Sequence, residues 1–221
     1  MNPCKNTIGW ADFTWNPITG CKRGCLWCYA KRLHDMRYKA KQAGKHLPEC
    51  YSKPFEEITF YPERLNDSGL KAKKPRTIFV GSVSDPEYWD KNDFYAVLTR
   101  IYACEQHTFM FLTKNPDSYN GMKWPTNCMQ GLTITCKQNK QDQIDLILKM
   151  FKVGVRRFLS IEPLLGPFLP NKISFDRYER VIVGAMTGPD AVPPKREWIQ
   201  SIKDKCPKEK IYWKKNIQKY L

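Results

Sequence analysis

The sequence has no hydrophobic run near the roughly 20 residues that a helix needs to cross a bilayer, and it has no long low-complexity tract. Its first residues, MNPCKNTIGW, contain no apolar run after the first charge, so we expect no secretory signal there. These absences make the reducing cytoplasm the expected location. In that compartment, clustered cysteines are more often metal ligands or reactive thiols than disulfides.

Acidic residues are scarce relative to basic ones. The 221 residues include 37 Lys or Arg against 22 Asp or Glu, which gives a formal net charge of +15. The excess is concentrated in residues 22–45, where Asp35 is the single acid, and in the basic C-terminal segment 195–221. Such a surface favours a polyanionic partner, most simply nucleic acid. A solvated basic face without a partner has the same composition.

Hydrophobic periodicity predicts four helices separated by about eight short β-rich segments. The helical stripes are Leu33, Met36, Ala40 and Ala43; Phe94, Val97, Leu98 and Ile101; Ile144, Ile147, Leu148 and Phe151, ending near Gly154; and Trp198, Ile199 and Ile202. The β-rich segments are 12–15, 58–61, 77–83, 108–113, 131–135, 157–161, 180–185 and 210–213. Because several of these are almost continuously apolar, we expect parallel strands that are buried on both faces.

This alternation predicts an α/β fold in one domain over residues 1–221, either a βα barrel or a doubly wound sheet. We favour a partial or complete barrel of the TIM type, with about six to eight mostly parallel strands. The reason is that polar residues recur just after the predicted strands, and the carboxyl ends of barrel strands converge on one mouth. These strand-end residues are Ser82, Ser84 and Asp85; Thr113 and Lys114; Thr135; Glu162; and Thr187.

Three thiols lie within eight positions in the loop 20–28. Cys21, Cys25 and Cys28 have the spacing C-x3-C-x2-C, and Gly20 and Gly24 give the loop the freedom to turn its amides inward. Structural zinc takes four closed ligands, and no fourth Cys or His lies nearby. A cubane iron–sulfur cluster with three thiolates leaves one iron open to a substrate or cofactor. The spacing therefore predicts an iron–sulfur site in which the missing ligand is the functional position.

The segment CKRGCLWC resembles the signature C-x3-C-x-aromatic-C of the radical S-adenosylmethionine (SAM) enzymes, with Trp27 at the aromatic position. The resemblance extends over almost the whole chain. The blocks IGWADFTWNPITGC, CYA, FVGSVSD, HTFMFLTKNP, IEPLLGP and VIVGAMTGP are similar to those of an uncharacterised radical-SAM-like family. Members of that family occur in phages, bacteria and archaea and are loosely related to spore photoproduct lyase.

The resemblance implies that Cys21, Cys25 and Cys28 hold a [4Fe-4S] cluster whose open iron binds SAM. One electron, from a donor such as flavodoxin or ferredoxin, would split SAM into methionine and a 5′-deoxyadenosyl radical. That radical would abstract a hydrogen atom, and we expect the substrate to be a nucleic acid undergoing modification or repair. By analogy, Trp27 would lie against the adenine. The same analogy gives cofactor or substrate contacts to Ser82, Ser84, Asp85, Thr113, Lys114 and Glu162.

Three residues, Ala185, Met186 and Cys136, leave alternatives open within the resemblance. Related sequences read V-G-G-E-S-G-P where this chain has VGAMTGP, so Ala185 and Met186 replace a Gly and a Glu. Cys136 ends the segment GLTITC and is a candidate hydrogen-atom donor, although an apolar structural thiol is the competing interpretation.

The competing functions are of two kinds. One is a non-enzymatic nucleic-acid-binding protein with a structural zinc site, in which the distant Cys4 supplies a fourth ligand. The other is a relative that keeps the cluster for electron transfer or sensing, and the change at Met186 is compatible with it.

Overall fold

The structure is a computed structural model, and it describes residues 1–4, 8–150, 156–170 and 175–221. The predicted helix end at Phe151 and Gly154 lies outside these residues. The strands of the described part are β1 (Asn2–Pro3), β2 (Phe13–Trp15), β3 (Ile18–Thr19), β4 (Thr59–Phe60), β5 (Thr77–Val80), β6 (Thr108–Thr113), β7 (Cys128–Ile134), β8 (Arg156–Ile161), β9 (Arg180–Val183) and β10 (Ile211–Trp213). Its α-helices are α1 (Tyr29–Gln42), α2 (Lys91–Tyr102), α3 (Lys140–Met150) and α4 (Arg196–Lys203).

Eight strands form one sheet in the order β1-β2-β5-β6-β7-β8-β9-β10. All neighbours are parallel except β1, which runs antiparallel to β2. The prediction of an α/β fold with a mostly parallel sheet is confirmed. Within the described residues β1 and β10 do not pair with each other, so the sheet does not close into a complete barrel. The predicted strand near 58–61 does not join this sheet, because β4 pairs with β3 in a separate two-stranded sheet.

The large sheet is curved, and its concave face surrounds the segment before β2. The Trp10 ring lies 4.8 Å from that of Phe79 on β5 and 5.8 Å from that of Phe158 on β8. A flat sheet would hold those two strands roughly 14 Å apart, because neighbouring strands are about 4.8 Å apart. Trp10 can contact both rings only because the sheet bends around it, so this segment covers one end of the concave face.

The helices confirm the predicted apolar stripes in two cases, contradict one, and confirm one in part, because α3 buries Ile147 but exposes Leu148. In α2 the residues Phe94, Val97, Leu98 and Ile101 are all buried, and α4 buries Ile199 and Ile202. The basic C-terminal segment is therefore part of the folded sheet and its helical cover. In α1 the predicted stripe does not face the core, because Ala30 and His34 are the buried residues of that helix.

Among the residues that the structure describes, none belongs to a helix of the length and apolar character that a bilayer span requires.

Candidate functional site

A cavity of about 1730 Å³ lies on the concave face of the large sheet. Its wall combines the cysteine loop with the residues that follow the carboxyl ends of the strands. Among the predicted site residues, the structure places these on the wall: Cys21, Cys25, Trp27, Cys28, Ser82, Ser84, Asp85, Lys114 and Glu162. Thr113 and Cys136 are buried and do not line the cavity. The sequence therefore brings most of its candidate residues to one place.

The start of the cysteine loop is attached to the sheet through backbone contacts. Gly20 forms a parallel bridge with Ser84, in which the Gly20 N–H donates to the Val83 carbonyl at 3.2 Å. Gly20 has a φ of +94°, and a Cβ at this position would lie 2.4 Å from the Glu57 carbonyl oxygen. Both facts require glycine here, because other residues are strained at positive φ. The position of Cys21 is thus set by the fold.

Arg23 attaches the middle of the loop to two carboxylates. It lies between Cys21 and Cys25, and its guanidinium forms an ion pair with Glu87. Its Nε lies 3.8 Å from an Asp85 oxygen. Because Arg23 is about three-quarters buried, this contact is shielded from water and is stronger than a surface ion pair. The loop is therefore held at both Gly20 and Arg23.

Asp85 is an organising residue whose oxygens are already occupied. Oδ1 accepts hydrogen bonds from the Thr113 hydroxyl at 2.5 Å and from the Glu87 N–H at 3.1 Å. Oδ2 accepts the Lys114 N–H at 3.2 Å. Asp85 thereby joins the ends of β5 and β6 to the Arg23 contact. Asp85 and Thr113 position the wall, which differs from the direct cofactor contacts that the resemblance implies.

The hydroxyl groups of Ser82 and Ser84 also form hydrogen bonds within the protein. The Ser84 hydroxyl donates to the Ile18 carbonyl at 3.1 Å and accepts the Trp89 indole N–H at 3.0 Å. The Ser82 hydroxyl donates to Asn16 Oδ1 at 3.1 Å. These bonds tie the segments after β2 and β5 together, so the two serines shape the cavity mouth.

The three loop thiols are free and partly buried. Burial raises the pKa of the Cys21 thiol to about 11, and the negative charges of Asp85 and Cys28 raise it as well. Burial also raises the pKa of Cys25, whereas the positive charge of Lys114 lowers it. Cys28 caps α1, because its sulfur accepts the Lys31 N–H at 3.3 Å. The thiols therefore lie within electrostatic reach of one another, with Lys114 as the nearby cation.

The donor set, three thiols, has the chemistry that either an iron–sulfur cluster or a zinc ion uses. In the described part of the chain, no three Cys, His, Asp or Glu side chains are grouped closely enough to hold one metal ion. A tetrahedral zinc ion would draw thiolates to within about 4 Å of one another, since Zn–S bonds are about 2.3 Å long. A cubane places each thiolate on a different iron and so spaces the sulfurs further apart. The three thiols lie on one cavity wall, which is the placement that either group would require.

An ion pair also lines the cavity, at the end of β8. The Glu162 carboxylate is paired with Lys214, and both side chains are mostly buried. Gly184 makes room for this pair, because a Cβ there would lie 2.8 Å from the Glu162 Oε1 atom. Met186 lines the same wall. Position 186 therefore contributes a thioether to the wall, and Glu162 is the acidic partner of Lys214.

Sequence reasoning missed a polar layer deeper in the cavity. Thr14, Thr133 and Ser160 are buried residues of the wall, on β2, β7 and β8. The Ser160 hydroxyl and the Trp10 indole N–H have no hydrogen-bond partner among the described residues. The strand alternation could have identified Ser160, since it lies two residues before Glu162 and so faces the same side.

The charge of the wall is predominantly positive. Seven Lys or Arg residues line the cavity, against three Asp or Glu residues. Trp27 lies on the same wall, with the Lys137 Nζ atom 5.8 Å from its ring centre. A cavity of this character accommodates an anionic ligand with an apolar or planar portion.

Comparison with known proteins gives one match. A family model described as "Protein of unknown function (DUF5131)" matches residues 5–218. No curated protein and no solved structure matches the chain.

Proposed function

The chain belongs to the DUF5131 family, and from that premise we propose that it is a radical SAM-type enzyme built on a partial βα barrel, which modifies or repairs nucleic acid. The observation that carries the proposal is the shared cavity. Cys21, Cys25 and Cys28 line it together with the residues that follow the parallel strands of a curved sheet. Enzymes with such sheets place their chemistry at the carboxyl ends of the strands.

In this proposal Cys21, Cys25 and Cys28 hold a [4Fe-4S] cluster. With SAM bound, such a cluster would supply the one-electron reduction that cleaves SAM. The protein provides the positions and the surroundings. Arg23 holds the loop against Asp85 and Glu87.

Burial raises the pKa of Cys21 and Cys25, and the positive charge of Lys114 opposes part of that increase. Trp10 and Phe79 form an apolar floor, which limits the access of water to reactive species.

The basic wall supports a phosphate-bearing substrate. Lys114 and Lys215 line the cavity, and such groups attract phosphates through long-range electrostatics. Binding of an oligonucleotide should therefore weaken steeply as salt is raised. If no binding is detected at low salt, the nucleic-acid part of the proposal is wrong and the radical chemistry has to be tested on other anionic substrates.

The experiment that tests the chemistry begins with anaerobic purification. We expect a brown protein with about four iron atoms and four sulfides per chain, and 5′-deoxyadenosine after addition of dithionite and SAM. Cys25→Ala should lose both signals. Cys50→Ala is the matched control, because Cys50 is also a half-buried thiol on the cavity wall but lies outside the loop. A colourless protein with one zinc ion per chain would contradict the proposal.

Met186 supports one competing function, that of a cluster used for electron transfer or sensing. A thioether in place of a carboxylate removes a charged group from the wall. An intact cluster that never yields 5′-deoxyadenosine would establish this competing function in place of catalysis.

A further inference from the structure

The cysteine loop continues into a row of exposed apolar side chains, which we call the α1 stripe. It consists of Leu26, Tyr29, Leu33 and Met36, whose side chains are 93, 49, 37 and 61% exposed. Their separations of three, four and three residues place them along one face of the helix and its lead-in turn. Single exposed apolar residues are ordinary, but a contiguous row of them marks an interaction surface.

The stripe is exposed because α1 packs through a different face. Ala30 and His34 are buried, and the His34 ring contacts the rings of Tyr51 and Phe55, each at 5.3 Å. A helix turns about 100° per residue, so this buried face lies to one side of the α1 stripe. Tyr29 and Leu33 reach the cavity wall, where the Tyr29 hydroxyl donates to the Ser82 carbonyl at 2.6 Å, whereas Leu26 and Met36 do not line the cavity.

Basic residues without ion pairs flank the stripe. Lys22, Arg32 and Lys39 are exposed, and in the described part of the chain they form no ion pair. Other bases of the helix are neutralised, since Lys31 pairs with Glu56 and Lys41 pairs with Glu49. The surface is therefore an apolar row beside positive charges that remain available to a partner.

We propose that the α1 stripe is a docking surface for an acidic protein, namely the electron donor that the proposed function requires. A second copy of the chain is disfavoured, because each copy carries a net charge of +15 and would bring its own basic flank to the contact. A nucleic acid would use the flanking bases but gain little from Leu and Met side chains. An acidic protein with an apolar patch complements both features.

The position of the stripe fits this role. Leu26 lies between Cys25 and Cys28, so a partner that covers Leu26 contacts the loop that carries the thiols. In the step that docking serves, a reduced flavodoxin loses one electron from its flavin hydroquinone, and the group held by the thiols gains it. This part of the inference rests on the proposed function, whereas the docking itself is measured without it.

The test measures binding of a reduced, acidic flavodoxin to the purified chain by calorimetry. The double variant Leu26→Ser/Met36→Ser changes the two most exposed residues of the stripe and is expected to fold normally. We expect it to bind flavodoxin at least about tenfold more weakly than the unmodified chain. Leu148→Ser is the matched control, since Leu148 is an exposed apolar residue on α3, 53% exposed, and should leave affinity within about twofold. The unmodified chain should also bind more weakly at high salt.

Two results would overturn the inference. One is equal flavodoxin affinity of the double variant and the unmodified chain. The other is that the double variant loses self-association or oligonucleotide binding and keeps its affinity for flavodoxin. Failure of the proposed function looks different: flavodoxin binding still depends on the stripe, but the anaerobically purified chain contains no iron–sulfur cluster.

Discussion

Replacement of Asp85 by Asn tests whether this carboxylate organises the cavity mouth. The substitution keeps the side-chain shape but removes the charge and turns one acceptor oxygen into an N–H donor. Oδ2 accepts the Lys114 N–H at 3.2 Å, so the new amide either faces another donor there or gives up the bonds from Thr113 and Glu87. Hydrogen bonds to charged groups contribute about 1.5–3 kcal/mol each. In the first orientation one such bond is lost and two are weakened, and in the second two are lost and one is weakened.

We therefore expect Asp85→Asn to lower the free energy of unfolding by about 3 kcal/mol. For a chain of this size, that corresponds to a decrease in the midpoint of thermal unfolding of about 6–12 °C. The measurement is urea unfolding followed by tryptophan fluorescence, with a thermal scan alongside. Because Arg23 loses one of its two carboxylates, the variant should also bind less iron per folded chain.

Asp90→Asn is the matched control. Asp90 caps α2 by accepting the Asn92 and Asp93 N–H groups, and Asn caps helices about as well as Asp. We expect its effect to stay within about 0.5 kcal/mol. If Asp85→Asn is equally mild while cofactor binding is lost, the carboxylate contacts the ligand directly and the organising role described above is wrong.

The remaining predictions concern the loop anchor, a buried histidine and the cysteine outside the cavity. Gly20→Ala should lower the free energy of unfolding by at least about 2 kcal/mol in thermal unfolding, because a Cβ meets the Glu57 carbonyl oxygen at a strained backbone conformation. Gly44→Ala is its control, because nothing lies within 4 Å of a Cβ there, and it should lower the free energy of unfolding by about 1 kcal/mol. Burial lowers the pKa of His107 below its ordinary 6.5, so the unfolded chain binds the proton more tightly and stability should fall as the pH drops from 7.5 to 5.5. His107→Gln should reduce that dependence in urea unfolding, and an unchanged slope would show that His107 is not its source. Cys136→Ala should lower the free energy of unfolding by about 1–2 kcal/mol yet keep the iron content and any 5′-deoxyadenosine formation. If the folded, iron-containing variant loses turnover, Cys136 is a candidate hydrogen-atom donor again.

The parts of the site that depend on local pattern could be predicted from the sequence. The spacing of Cys21, Cys25 and Cys28 is local, and so is the position of Lys114 or Glu162 directly after an apolar strand. Parallel strands then bring these residues to one edge without further information. Local pattern and one topological rule therefore account for most of the cavity wall.

The uses of the polar side chains could not be predicted in this way. The Ser84 hydroxyl is bound to the Ile18 carbonyl, 66 residues away along the chain, and the Thr113 hydroxyl to Asp85, 28 residues away. A strand-end hydroxyl looks the same in the sequence whether it faces a ligand or another loop. Only the tertiary arrangement decides between the two.

Two further differences between the sequence-based predictions and the structure have specific physical causes. Periodicity identifies that Leu33 and Met36 share a face of α1, but it does not tell which face packs on the protein, and here Ala30 and His34 do so. Cys136 follows β7, which ends at Ile134, and has a φ of +57°. That turn takes its side chain into the core cluster with Leu164 and Cys206, away from the strand-end residues that line the cavity.

The attachment of Gly20 to the strand-end residue Ser84 has a consequence for biogenesis. In small zinc proteins the metal organises the chain, and folding waits for it. Here the hydrogen bond between Gly20 and Val83 and the ion pair between Arg23 and Glu87 are made by the polypeptide alone. Insertion of the proposed cluster would therefore not be needed to position the start and the middle of the loop.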